Sequence, residues 1–104
     1  MAEFAVFGRM TAKPGQRDAL LAAMREAVTA LDNPAGLLDY TLNAALDDPD
    51  TLWITQRWSS KAAHDTATKT EANKARTRAF ADLLAATPEG SYGEVVEHGG
   101  SPSR

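Results

Sequence analysis

Residues Glu3–Ala12 alternate with a two-residue period, Phe4, Val6, Gly8 and Met10 on one face and Ala5, Phe7, Arg9 and Thr11 on the other. The pattern predicts a β-strand whose two faces are both largely apolar and both covered. Lys13-Pro14-Gly15 stops it, because proline lacks the ladder N–H and glycine permits a sharp turn. From Gln16 to about Leu31 the period becomes helical, with Leu20, Leu21, Met24, Ala27, Val28 and Leu31 on one stripe. Asp32-Asn33-Pro34-Ala35-Gly36 breaks that helix. Leu37–Ala45 reads as a second strand with Leu38, Tyr40, Leu42 and Ala44 on its apolar face, and Asp47-Asp48-Pro49-Asp50 as a turn. Thr51–Trp58 is a third strand, in an antiparallel hairpin with the second.

Ser59-Ser60 is placed to cap a following helix by accepting from an orphan N–H. The helical region is expected from Lys61 to about Ala85, interrupted around Lys69-Thr70-Glu71. Its second half gathers Asn73, Arg76, Thr77, Phe80, Leu83 and Leu84 on one side. Pro88-Glu89-Gly90 is read as its end, Tyr92–Glu97 as a short last strand, and 99–104 as a mobile polar tail. Residues 1–98 thus form a single domain of order β-α-β-β-α-(α)-β, a ferredoxin-like α+β sandwich with an antiparallel sheet. The helices cover one sheet face. The other carries Phe7, Trp53 and Val95 or Val96, too apolar to leave in water. A homodimer in which two sheets pack face to face into a barrel is the expected cover.

Composition narrows the function. The 104 residues include no cysteine, which removes thiolate nucleophiles, disulfides and cysteine metal sites. With 11 basic against 14 acidic residues the chain is no natural phosphate binder, so a nucleic-acid partner is not expected. An RNA-recognition module shares the element order, but the Gly-Phe-x-Phe pattern and basic surface it needs are missing. No apolar run reaches the ~20 residues of a membrane span, and the start has no signal-peptide pattern, so a cytoplasmic protein without a membrane partner is expected. The aspartates at 47, 48 and 50 are explained by turn chemistry, without a metal.

Three segments resemble the antibiotic biosynthesis monooxygenase family, whose members form dimeric α+β barrels. They are the first strand ending in Lys13-Pro14-Gly15, the stretch Pro34-Ala35-Gly36-Leu37-Leu38-Asp39-Tyr40, and Gln56-Arg57-Trp58-Ser59-Ser60-Lys61-Ala62-Ala63. The last is similar to a family Glu-Arg-Trp-x-Ser-x-x-Ala junction. Gln56 replaces its usual glutamate, and Ala67 stands where a histidine is common, with His64 three residues earlier. The haem-degrading relatives use an asparagine where this chain has Gly8, and a tryptophan and a histidine in the helical region where it has Ala67 and about Thr77, so haem degradation is not expected.

The resemblance implies oxidation of a phenolic, quinol or polycyclic aromatic by O2 with no flavin, metal or haem cofactor. The substrate supplies the electrons, and the protein binds it, assists its deprotonation and excludes water. On that reading His64 is the base, Trp58 a catalytic-site aromatic and Arg76 the stabiliser of a developing oxyanion. Tyr40, Gln56, Gly8 and Phe80 line the substrate pocket, Gly8 leaving room for a ring. The bland alternatives are a core anchor for Trp58, a core aromatic for Tyr40, a surface position for His64 and a snorkelling Arg76. Absence of the usual glutamate and histidine motivates a second reading, a non-catalytic protein that sequesters a small hydrophobic compound. His98 is expected to be solvent-exposed.

Overall fold

The computed structural model describes residues 2–29 and 36–100. Leu31 and most of the expected break at 32–36 lie outside the described residues, as do positions 101–104 of the tail. Strands β1 (Phe4–Thr11), β2 (Leu37–Ala44), β3 (Thr51–Trp58) and β4 (Glu89–Glu94) form one antiparallel sheet in the order β2-β3-β1-β4. Between them run α1 (Arg17–Thr29), α2 (Lys61–Thr68), α3 (Glu71–Ala79) and a 3-10 turn at Ala81–Leu83. The order β-α-β-β-α-α-β is that of the ferredoxin-like fold.

Local chemistry sets the joints. Gln16 N–H donates to Lys13 O across a turn with Pro14 and Gly15 at its centre, and Gly15 holds φ +77°, a conformation that favours glycine. Both Asp48 carboxylate oxygens are engaged, one by Asp50 N–H at 2.9 Å and the other by the Thr51 hydroxyl at 2.7 Å. These bonds hold the Asp48 carboxyl below its usual range and close the β2–β3 hairpin. Ser60 accepts from Ala63 N–H to start α2, and Thr70 accepts from Asn73 N–H to start α3.

Register assigns the faces. Val6 and Tyr40 flank Gln56, Gly8 and Leu42 flank Ile54, and Phe4 faces Trp58, which places all of them on the helix side. The core there has two parts. One gathers Ala12, Leu20, Met24, Leu52, Ile54 and Phe80; the other centres on Trp58 and Ala67, with Phe4, Val6, Leu37 and Ala63 against them. On the opposite face Phe7 and Trp53 stand about half exposed, at 50% and 47%. Arg9 lies over the Trp53 ring at 5.6 Å.

Three boundaries differ from expectation. A β-bulge between Leu37 and Asp39 shifts the alternation, so that Leu37 packs on the Trp58 cluster and Leu38 is exposed. The last helix ends at Ala79, because the chain beyond it turns extended to pair with the end of β1. Lys13 N–H donates to Leu83 O and Ala85 N–H to Thr11 O. Finally, β4 starts at Glu89, directly opposite Arg9, so Pro88-Glu89-Gly90 leads into the strand instead of preceding it. Val95 and Val96 fall beyond the strand, Val96 almost fully exposed.

Candidate functional site

Beneath the helices lies a cavity of about 160 Å³. Its apolar walls come from Met10 and Ile54 of the sheet, Met24, Ala27 and Val28 of α1, and Phe80. Four polar residues share the lining: Gln56 of β3, Thr68 at the end of α2, and Asn73 and Thr77 of α3. None of these lining residues is ionisable. A dry apolar cavity of about 150 Å³ accepts benzene, so this volume suits one ring.

Hydrogen bonds fix the polar groups. Trp58 Nε1–H donates to Gln56 Oε1 at 2.9 Å. The Asn73 amide donates to Thr68 O at 2.8 Å, the Thr77 hydroxyl to Asn73 O at 2.9 Å and the Thr68 hydroxyl to His64 O at 2.8 Å. Asn73 and Thr77 were on the sequence-derived inward side of α3, four residues apart; two polar residues on such a face were the available signal. Thr68, Met10, Met24, Ala27, Val28 and Ile54 were not singled out as site residues, because only the folded packing leaves a gap beside them.

Of the expected site residues, the structure brings Gln56 and Phe80 to the cavity. Trp58, fully buried, stands behind Gln56 and reaches the cavity only through that side chain. Arg76 lies in a separate groove between α1 and α3 with Ala23, Glu26 and Ala79, on the far side of Ala27 and Phe80. Tyr40, on edge strand β2, faces the helix side but is 44% exposed, so it is not the core aromatic of the bland reading. Gly8 leaves no room for a ring: a Cβ there would come within 2.7 Å of Ile54 Cγ2, so the space is already filled.

His64 is neither a surface residue nor a cavity residue. Its side chain, 13% exposed, is surrounded by rings, with centroids at 5.1 Å to Phe4, 5.3 Å to Trp58 and 5.9 Å to Tyr92. Nδ1 lies 3.1 Å from Asp65 Oδ1. Lys61, bonded to Asp65 Oδ2 at 2.6 Å, is the main cause that holds the Asp65 carboxyl at about 2; His64 and Lys69 add to it, and partial burial opposes it. Trp58, His64 and Arg76 therefore do not meet in one cavity. His98 is half exposed, 3.7 Å from Asp39.

A ferredoxin-like α+β domain with a ring-sized cavity under its helices is the class these features define. The antibiotic biosynthesis monooxygenase profile matches residues 3–87, and the chain belongs to that family. Among solved structures, a candidate antibiotic biosynthesis monooxygenase from Chloroflexus aurantiacus is 30% identical with a TM-score of 0.80, covering 95% of this chain and 98% of that one. Another candidate member, from Nitrosomonas europaea, shares the fold at 14% identity and TM-score 0.83, covering 95% of each chain. A Mycobacterium tuberculosis protein does so at 20% identity and TM-score 0.81, over 95% of this chain and 100% of that one. No curated protein matches the chain. Among the described residues no helix is long and apolar enough to cross a membrane.

Proposed function

We propose that the protein oxidises a single-ring quinol or phenol with O2, unaided by a cofactor, in the cavity beneath its helices. The observation that carries this reading is a ring-sized apolar space, bounded by four neutral polar side chains, in a chain of this family. A quinol and dioxygen give a hydroxyquinone and water. One oxygen atom enters the ring, the other leaves as water with two hydrogens of the substrate, and the ring supplies all four electrons.

Separated charges are costly where no lining group can pair with them. The reaction therefore begins with a hydrogen atom passing from a ring hydroxyl to O2, so that a neutral semiquinone and a hydroperoxyl radical form. After a change of spin the pair joins at a ring carbon, and the hydroperoxide expels water. The protein holds the ring, keeps bulk water from the radicals and retains them until they combine. In this scheme Gln56 and Phe80 contact the substrate, Trp58 positions Gln56, and His64 acts at a distance by supporting Trp58. Arg76, Tyr40 and Gly8 have structural parts.

Oxygen uptake by metal-free protein with a panel of hydroquinones and phenols tests the proposal. Uptake above the protein-free rate, reduced less than threefold by His64→Ala, is expected; no uptake with any member of the panel overturns it. The lack of an ionisable lining group also favours the second reading, reversible binding without turnover, which anaerobic and aerobic titrations with the same ligands would distinguish. The open sheet face is proposed to seat a second copy of the chain, since Phe7 and Trp53 present their rings there. Sedimentation should show a dimer that Trp53→Glu dissociates.

A further inference from the structure

The chain has no cysteine and three methionines, and two of the three, Met10 and Met24, line the same cavity. Met10 comes from β1, opposite Leu52 of β3, and is partly buried. Met24 comes from α1 and keeps only 4% of its surface exposed. Thioether sulfur is polarizable, and it is the group in this lining that a peroxide oxidises by two electrons. The rest of the lining is aliphatic, phenyl, amide and hydroxyl. The indole of Trp58 is fully buried behind Gln56. A peroxide that enters the partly open space therefore meets two thioethers and no competing reductant in the lining.

We propose that Met10 and Met24 form an oxidant-sensitive modification site, at which a hydroperoxide converts the thioethers to sulfoxides and the cavity stops accepting apolar rings. Sulfur attacks one peroxide oxygen, and the O–O bond breaks as the S–O bond forms. The proton on the transferred oxygen passes to the departing one, which leaves as water from hydrogen peroxide or as an alcohol from an organic hydroperoxide. Each sulfur loses two electrons and each peroxide gains two. The product sets a strongly polar S–O group in a wall that was apolar, and burying it against a hydrocarbon guest costs its hydration. Sulfoxide reductases return the sulfur to a thioether, so the closure is reversible. This inference rests on the cavity admitting small molecules and not on turnover, since added peroxide serves as well as any formed there.

Hydrogen peroxide treatment of the folded protein, and of the same protein in concentrated urea, tests the modification when stopped with excess free methionine and read by peptide mass mapping. Met10 and Met24 should each gain one oxygen in the folded protein, at rates within about tenfold of those in urea. Anaerobic calorimetric titration with benzene, before and after treatment, tests the closure. Affinity should fall at least about tenfold while thermal unfolding stays cooperative, and it should return after treatment with the two methionine sulfoxide reductases, one for each epimer. The Met10→Leu, Met24→Leu double variant, whatever its own starting affinity, should keep it within about twofold through the same treatment.

Protection of either methionine beyond about tenfold overturns the inference. So does benzene affinity indifferent to the sulfoxides, or a double variant that loses benzene on treatment. An oxidised protein that no longer unfolds cooperatively also overturns it, because the loss is then general damage. If the untreated protein binds no benzene, the cavity assignment falls as well. Oxygen uptake with quinols is measured separately, so a peroxide-sensitive cavity without turnover would overturn the oxygenase and leave the modification site standing.

Discussion

The two halves of the space under the helices are built to opposite ends. Around Trp58 the packing is sealed. The indole is fully buried, His64 meets it edge-on at 5.3 Å, and Gly36 lies so close to α2 that an added Cβ would collide with Ala63 Cβ. Around Phe80 the walls stand apart and line a partly open space of about 160 Å³. Among the described residues the halves are joined by hydrogen bonds from Trp58 to Gln56 and from the Thr68 hydroxyl to His64 O. Rigidity on one side thus orients a side chain on the other: the close-packed half holds a polar group at the edge of the hollow one.

Removing the anchor of the sealed half should cost the most. Trp58→Ala deletes a wholly buried indole and leaves the Gln56 oxygen without its donor, for a loss of about 3–5 kcal/mol in urea or thermal unfolding. Loss below about 1 kcal/mol would mean that this half is not sealed. A pair of glycine substitutions sharpens the contrast at smaller amplitude. Gly36→Ala drives a methyl into Ala63, with Trp58 behind, and should cost about 3 kcal/mol. Gly8→Ala presses on Ile54 Cγ2, but Ile54 borders the cavity and can shift into it, so about 1 kcal/mol is expected. Equal costs at the two sites would erase the distinction.

The hollow half admits a third test. Ala27→Leu extends a side chain of α1 into the cavity and adds apolar contact. Stability should change by less than about 1 kcal/mol, while ring binding and any oxygen uptake fall to background. Retained binding would place the ligand elsewhere.

How much of this the sequence carries follows from the kind of information each feature needs. Strand parity alone places Gln56 and Trp58 on one face, and helical spacing alone places Asn73, Thr77 and Phe80 on one side; register and packing then bring Gln56, Asn73, Thr77 and Phe80 to one cavity. The bulge at Leu38 is invisible to parity, since it is a two-against-one mismatch with β3 that only the pairing defines. Pro88 reads as a stop, yet a proline just before an edge strand removes no ladder bond. Gly8 and His64 show the deeper difficulty. Whether a small residue leaves space depends on its cross-strand neighbour, here Ile54, and whether a histidine points at a cavity depends on which rings close around it first.

The smallest expected effect probes the rim of the sealed half. Lys61, His64 and Lys69 surround Asp65 and hold its native pKa at about 2, below the ordinary carboxylate value near 4. A carboxyl depressed in the folded state stabilises it wherever the unfolded chain would be ionised too, at pH above about 4, and that contribution fades as the pH falls toward 2. Asp65→Asn should therefore lower the urea midpoint slightly at pH 6 and leave it closer to the native value at pH 2.5. The effect is modest because Lys61 and Lys69 are largely exposed and their attraction is screened. Salt at 1 M should shrink the difference at pH 6 further, since the Debye length is then about 3 Å. Ring binding to the distant cavity should be unchanged in the variant. A variant that loses ring binding along with its acid response would show that the ion pairs at His64 reach the cavity through Trp58 and Gln56, and that the two halves do not act separately.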